Sequence, residues 1–278
     1  MRPVLKFAVL SSFLLLALAA CKREASVTPE AGQPVAPGTE APGTAELPAV
    51  GELKDVIETS DSYIVGISYP PVVNKYPGLA RVVSQYADAA RAELMQAVAG
   101  FGNDKPSAPY ELSLAFEQVV DTPQIVAVSA DGSRYTGGAH GEPLVARFVW
   151  LPAQDELLTT AALVPKAEGW AAIAGYVREQ LHTDVSVRAD ADEMSPEERL
   201  RYVRSADKMI DEGTGPDVDN FSQFQPVLGL DGKVTALRFV FPPYQVGPYA
   251  DGTHMVDVPA AVLLPHIAPQ YAGLFAGG

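Results

Sequence analysis

Cysteine is nearly absent from the chain: one residue in 278, at position 21. No internal disulfide can form, so whatever folds is held together by its own apolar core. Bases are scarce as well, with 20 Lys and Arg against 34 Asp and Glu and a formal net charge of −14. That balance excludes a nucleic-acid footprint, which needs clustered positive charge, and attachment to anionic lipid by charge alone. It is compatible with a basic partner, whose encounter it would speed, and equally with plain solubility. The four histidines, His140, His182, His254 and His266, fall into no HxH or HxxxH pair, and there is no second thiol, so no metal site and no cofactor is expected. Neither a GxSxG elbow nor a GxxxxGK[ST] loop occurs. Two acidic stretches, Asp190 to Glu193 and Asp217 to Asn220, lack the turn glycine and distal glutamate of a calcium loop and read as solvated surface. With no catalytic signature, a non-enzymatic protein is expected. Long apolar runs are also missing, and the longest, Phe7–Ala20, is interrupted by Ser11 and Ser12 and is too short to span a bilayer.

What that run does have is context. It follows Arg2 and Lys6 and ends in Leu18, Ala19, Ala20 and Cys21, the order of an export leader. A cysteine directly after Leu-Ala-Ala resembles the lipobox of bacterial lipoproteins. The resemblance implies a signal peptide over 1–20 and a mature N-terminal Cys21 carrying acyl chains. Each buried methylene of such a chain is worth roughly 0.8 kcal/mol, so several chains make a firm membrane anchor. Lys22 in place of aspartate tilts the expected location to the outer membrane, facing the periplasm. Without Arg2 and Lys6, 18 bases face 34 acids, a net charge of −16.

Residues 21–50 contain the lipidated cysteine, no aromatic residue, five prolines and a repeated Ala-Pro-Gly-Thr. Such composition cannot bury enough apolar surface to offset its ordering entropy and reads as a disordered tether. At roughly 3.1 Å per extended residue its limit is near 90 Å.

From residue 51 the patterning changes to that of a folded α+β chain with antiparallel sheets, read as an N-terminal part, 51–165, and a C-terminal part, 166–278. Leu53–Thr59 and Tyr63–Tyr69 form a hairpin pair. A helix follows from Leu79 to the glycines at 100 and 102. Strands are expected at Tyr110–Phe116, Gln124–Val128 and Leu144–Leu151, with a loop over Asp131–Gly141. Helices are expected over 167–181 and from Ser195, where Ser195, Pro196 and Glu198 make a capping box, to Gly213. A second hairpin joins Pro226–Leu230 to Val234–Phe241 through Asp231 and Gly232, then a strand at Met255–Val258 and a helix from Pro259.

Two segments carry unusual chemistry. In Tyr135-Thr-Gly-Gly-Ala-His-Gly141, Gly137 and Gly138 permit positive φ, and His140 sits in a tight loop between strands. His140 is read either as a ligand or catalytic group, or as a turn-locking side chain bonded to nearby backbone. The stretch from Phe241 to His254 leaves a strand, breaks at Pro242 and Pro243, and carries Tyr244, Tyr249 and Asp251. Tyrosines on rigid irregular backbone suit a binding surface and equally a buried anchor. The candidate binding residues are thus Tyr135, Gly137, Gly138, His140, Tyr244, Tyr249, Asp251 and His254.

These segments, in this order and with helices between them, resemble the extracytoplasmic domain shared by RsiV, a lysozyme-sensing anti-sigma factor, and the non-catalytic N-terminal region of the peptidoglycan deacetylase PdaC. The likeness spans roughly 52–270 and implies a two-part α+β envelope domain, with lysozyme-like muramidases or peptidoglycan as partners. No cytoplasmic sigma-binding segment and no deacetylase domain is recognised, so neither of those roles carries over. The expected protein is a lipid-anchored envelope-binding module. The alternatives are a cell-wall hydrolase using His140 or His254, marked by a carboxylate or metal at either imidazole, and a structural envelope lipoprotein.

Overall fold

A computed structural model describes residues 51–102, 106, 108–191 and 194–278. Cys21, the leader, the tether, Asp192 and Glu193 lie outside the described residues. None of the described helices is long and apolar enough to cross a membrane.

The first sheet has six strands in sequential order: β1 (Val56–Thr59), β2 (Tyr63–Ser68), β3 (Tyr110–Asp121), β4 (Val126–Tyr135), β5 (Glu142–Leu151) and β6 (Glu156–Leu157). All pairs are antiparallel except β2 with β3, which are parallel. Helix α1 (Pro77–Ala99) joins those two strands, and so long a connection lets β3 start where β2 started. The fold is therefore α+β as expected, with one parallel pair that strand patterning alone does not disclose.

Strict alternation puts Leu112, Leu114 and Phe116 of β3 against Leu79, Val83, Ala87 and Leu94 of α1, all essentially without solvent contact. Each such side chain contributes about 1.5–3 kcal/mol of burial. The opposite face of β4 and β5, through Ala127, Val149 and Leu151, belongs to a second core. There it meets α3 (Ala167–Ala191) and a three-stranded sheet of β7 (Phe224–Leu228), β8 (Val234–Phe241) and β9 (His254–Pro259). Strand β5 is consequently apolar on both faces, with Phe148 and Trp150 in one core and Val149 and Leu151 in the other. The two cores share this strand as a wall.

Helices α2 (Thr160–Leu163) and α4 (Pro196–Gly213) and the short C-terminal α5 (Ala260–Leu263) and α6 (Pro269–Ala272) complete the order. The capping box at Ser195 and Glu198 is formed as expected, with proline at the first helical position. Three expectations need correcting. Strand β4 continues through Tyr135, so the loop is only 136–141. Gly132 permits this, since a Cβ there would lie 2.0 Å from the Ser113 carbonyl of the neighbouring strand. Helix α3 runs ten residues past Leu181, to Ala191, because its polar end packs on α4 through His182 and Asp207. The C-terminal helix is broken into short turns by Pro265 and Pro269.

Candidate functional site

Strand β4 delivers Tyr135 at its last position, and the chain reverses through Gly137 (φ +99°) and Gly138 (φ +100°) before entering β5. The Tyr135 hydroxyl donates to the Gly138 carbonyl (3.2 Å) and braces this loop. His140 stands on its outer side, exposed.

The second half arrives from β8. After Pro242 and Pro243, Tyr244 adopts φ +74°, a conformation rarely taken by a bulky residue. Its amide donates to the Gly247 carbonyl (2.9 Å), and the Gln245 amide to that of Pro242 (3.1 Å). The Gln245 side chain fastens the turn to the body by donating to the carbonyls of Gly213 (3.0 Å) and Asn220 (2.8 Å). Strain of this kind costs about 1–3 kcal/mol and persists only where the surroundings impose it.

The two segments meet. Tyr244 Oη lies 2.8 Å from His140 Nε2, and the imidazole stacks on Tyr249 with ring centres 4.0 Å apart and planes 15° apart. His140 Nδ1 lies 3.2 Å from the Gly141 carbonyl. A carbonyl only accepts, so in the neutral ring Nδ1 carries the proton and Nε2 accepts from the Tyr244 hydroxyl. His140 thus lies beside the adjacent backbone carbonyl, and it also joins the two halves. Tyr244 is 53% exposed and Tyr249 half-buried. Beside them Arg134 pairs with Glu93 of α1 and with Glu142 (2.5 Å). Arg134 and Glu142, together with Thr136, Gly137, His140 and Tyr244, line a shallow depression of 280 Å³.

Tyr135, Gly137, Gly138, His140, Tyr244 and Tyr249 therefore form one surface. Asp251 and His254 face the other side of the same segment. Asp251 pairs with Arg188 of α3 (3.0 Å). His254 is half-buried, and burial pushes its pKa below the ordinary histidine value, aided by Arg188 and opposed by Asp251 and Asp184. Its Nε2 is buried with no hydrogen-bond partner. These groups border a pocket of 90 Å³ between α3, α4 and the 246–254 segment. Arg134, Arg188, Asp184 and Tyr202 of these two places carried no signal in sequence, since helix and strand periodicity marks only the apolar face.

Among the described residues, no carboxylate is hydrogen-bonded to His140 or His254, and no group of three or more His, Cys, Asp or Glu could hold a metal. The His–carboxylate contacts among the described residues are those of His182, whose Nδ1 lies 2.7 Å from Asp207 Oδ1 and whose Nε2 lies 3.6 Å from Asp211 Oδ1, between α3 and α4. What the His140 surface offers chemically is stacking, apolar contact and hydrogen bonding.

Residues 57–142 match the family described as deacetylase PdaC. That segment is PdaC-like. It runs from β1 to the first residue of β5 and contains one side of the surface, Tyr135 to His140. Over more of the chain the fold matches a solved DUF3298 family protein from Bacteroides fragilis NCTC 9343, at 15% identity and TM-score 0.52. That match covers 81% of this chain and 96% of that one. A DUF3298 family protein from Pseudomonas aeruginosa PAO1 is 16% identical with a TM-score of 0.49, covering 84% of this chain and 98% of that chain. No curated protein matches the sequence. The PdaC-like segment and the shared fold accord with the domain type expected from the sequence motifs.

Proposed function

We propose that the chain is a binding protein of the bacterial cell envelope, held to the outer membrane through acyl chains on Cys21. Its partner-binding surface is the one formed by Tyr135, His140, Tyr244 and Tyr249, and its partner is a basic muramidase of the lysozyme type. The observation that carries the reading is the Tyr244–His140 contact, which joins residues 104 positions apart into an exposed aromatic surface on strained backbone. Exposed tyrosines on rigid backbone supply large contact area at low entropic cost. The acidic balance of the chain favours encounter with a basic protein.

Calorimetric titration of the purified chain with a basic lysozyme, at low and at physiological salt, tests this reading. Saturable one-to-one binding that survives physiological salt and is lost in Tyr244→Ala supports it. Binding that vanishes with salt is charge attraction alone and sinks the muramidase assignment, and peptidoglycan fragments then become the ligand to titrate. The anchor is checked separately, since partition of the chain into detergent should be abolished by Cys21→Ser.

A further inference from the structure

The pocket behind the 246–254 segment is apolar in body and uneven in charge at its rim. Leu181 and Val185 of α3, Ala206 and Met209 of α4, and Val246 supply the apolar walls. Its 90 Å³ compare with roughly 10–15 Å³ for one water, so about six to nine water-sized groups fit. At the rim, Arg188 and Asp251 neutralise one another in an ion pair. Asp184 also lines the pocket and has no hydrogen bond or ion pair among the described residues. Burial pushes the His254 pKa down, and its buried Nε2 has no hydrogen-bond partner. Gly247 packs against that nitrogen, where a Cβ would lie 2.6 Å from it. The rim therefore offers one exposed carboxylate without an ion-pair partner next to an apolar cavity.

We infer that this pocket is a binding site for a small primary ammonium compound with an apolar body of about six carbons. The aliphatic part fills the space between α3 and α4, and the ammonium donates to the Asp184 carboxylate. This site is independent of the muramidase surface, which lies on the opposite side of the segment, and stands or falls without it.

The probes are three six-carbon compounds differing only in their heads, hexylamine, hexanol and hexanoate, titrated into the full chain by calorimetry. Hexylamine is expected to bind one-to-one, at least about tenfold more tightly than hexanoate. Ala206→Leu fills the cavity and should weaken hexylamine at least about tenfold. Asp184→Asn, an exposed change that leaves the core untouched, should bring hexylamine down to the level of hexanol. Thermal unfolding of each variant confirms that it is folded. The proposal is overturned if hexylamine fails to saturate, if hexanoate binds as tightly, or if folded Ala206→Leu or Asp184→Asn leaves the hexylamine affinity unchanged.

Discussion

His140 and His254 flank the same short segment, and their surroundings are opposite. His140 is exposed, yet both its ring nitrogens have partners and its face lies on Tyr249. His254 is half-buried, yet its Nε2 has none. The first imidazole is a joint: its bonds hold two distant pieces of chain in register, and its own chemistry is used up in doing so. The second is held in place by packing against Gly247, with hydrogen-bonding capacity left over. Exposure alone therefore does not tell which imidazole has its hydrogen bonds satisfied.

The comparison can be broken most severely at the support common to both regions. Gly213 ends α4 under the Gln245 turn, where a Cβ would lie 2.0 Å from the Gln245 carbonyl. Gly213→Val should cost about 3 kcal/mol in urea unfolding and disturb both regions together. Retention of the His140–Tyr244 contact in a folded variant, seen in imidazole NMR signals, would show that the surface does not depend on that turn.

Gly247→Ala separates the two. It crowds His254 Nε2 and should cost about 2 kcal/mol while leaving the stacked His140 signals unchanged. Gly138→Val does the reverse. Its φ of +100° is unsuited to a β-branched residue, and the strain should cost about 1–2 kcal/mol and displace His140 with no change at His254.

The smallest effect is the pH dependence. Burial lowers the folded-state pKa of His254 below the ordinary 6.5, with Asp251, Asp184 and Arg188 as the charged groups facing it. The unfolded chain therefore takes up the proton first as pH falls. The stability contributed by neutral His254 is whole above pH 6.5 and declines as pH drops from there through the lower folded-state value. His254→Leu should lose less stability between about pH 7.5 and 5.5 than the parent chain, measured by thermal unfolding. An equal loss in both would assign the pH dependence elsewhere.

Much of the element order was legible because each face has one job. The alternation in Leu112, Leu114 and Phe116 and the helical spacing from Leu79 to Leu94 report burial against each other directly. The capping box at Ser195 was legible for a local reason, since its bonds span only three residues. Where both faces or neither face is buried, the pattern fades. The polar end of α3 past Leu181 buries only Ala189, and the far end of β4 carries Ser133, Arg134 and Tyr135 on half-buried positions. The site was legible in its pieces and not in its assembly. Gly137, Gly138, Tyr244 and Tyr249 stood out by composition, but nothing local says that the loop after β4 touches the segment after β8. Nor does it say that Asp251 and His254 turn away from it.

The Tyr244–His140 bond has a consequence for how the surface comes into being. Its partners are 104 residues apart, and the PdaC-like match ends at residue 142, before any of the tyrosine side has been reached. Contacts of such separation are closed late, after the local helices and hairpins that shorten the effective loop. A chain emerging N-terminus first makes the Gly137–Gly138 loop long before residue 244 is available to meet it. The aromatic surface is thus a product of completed folding, and a nascent or truncated chain carries only half of it.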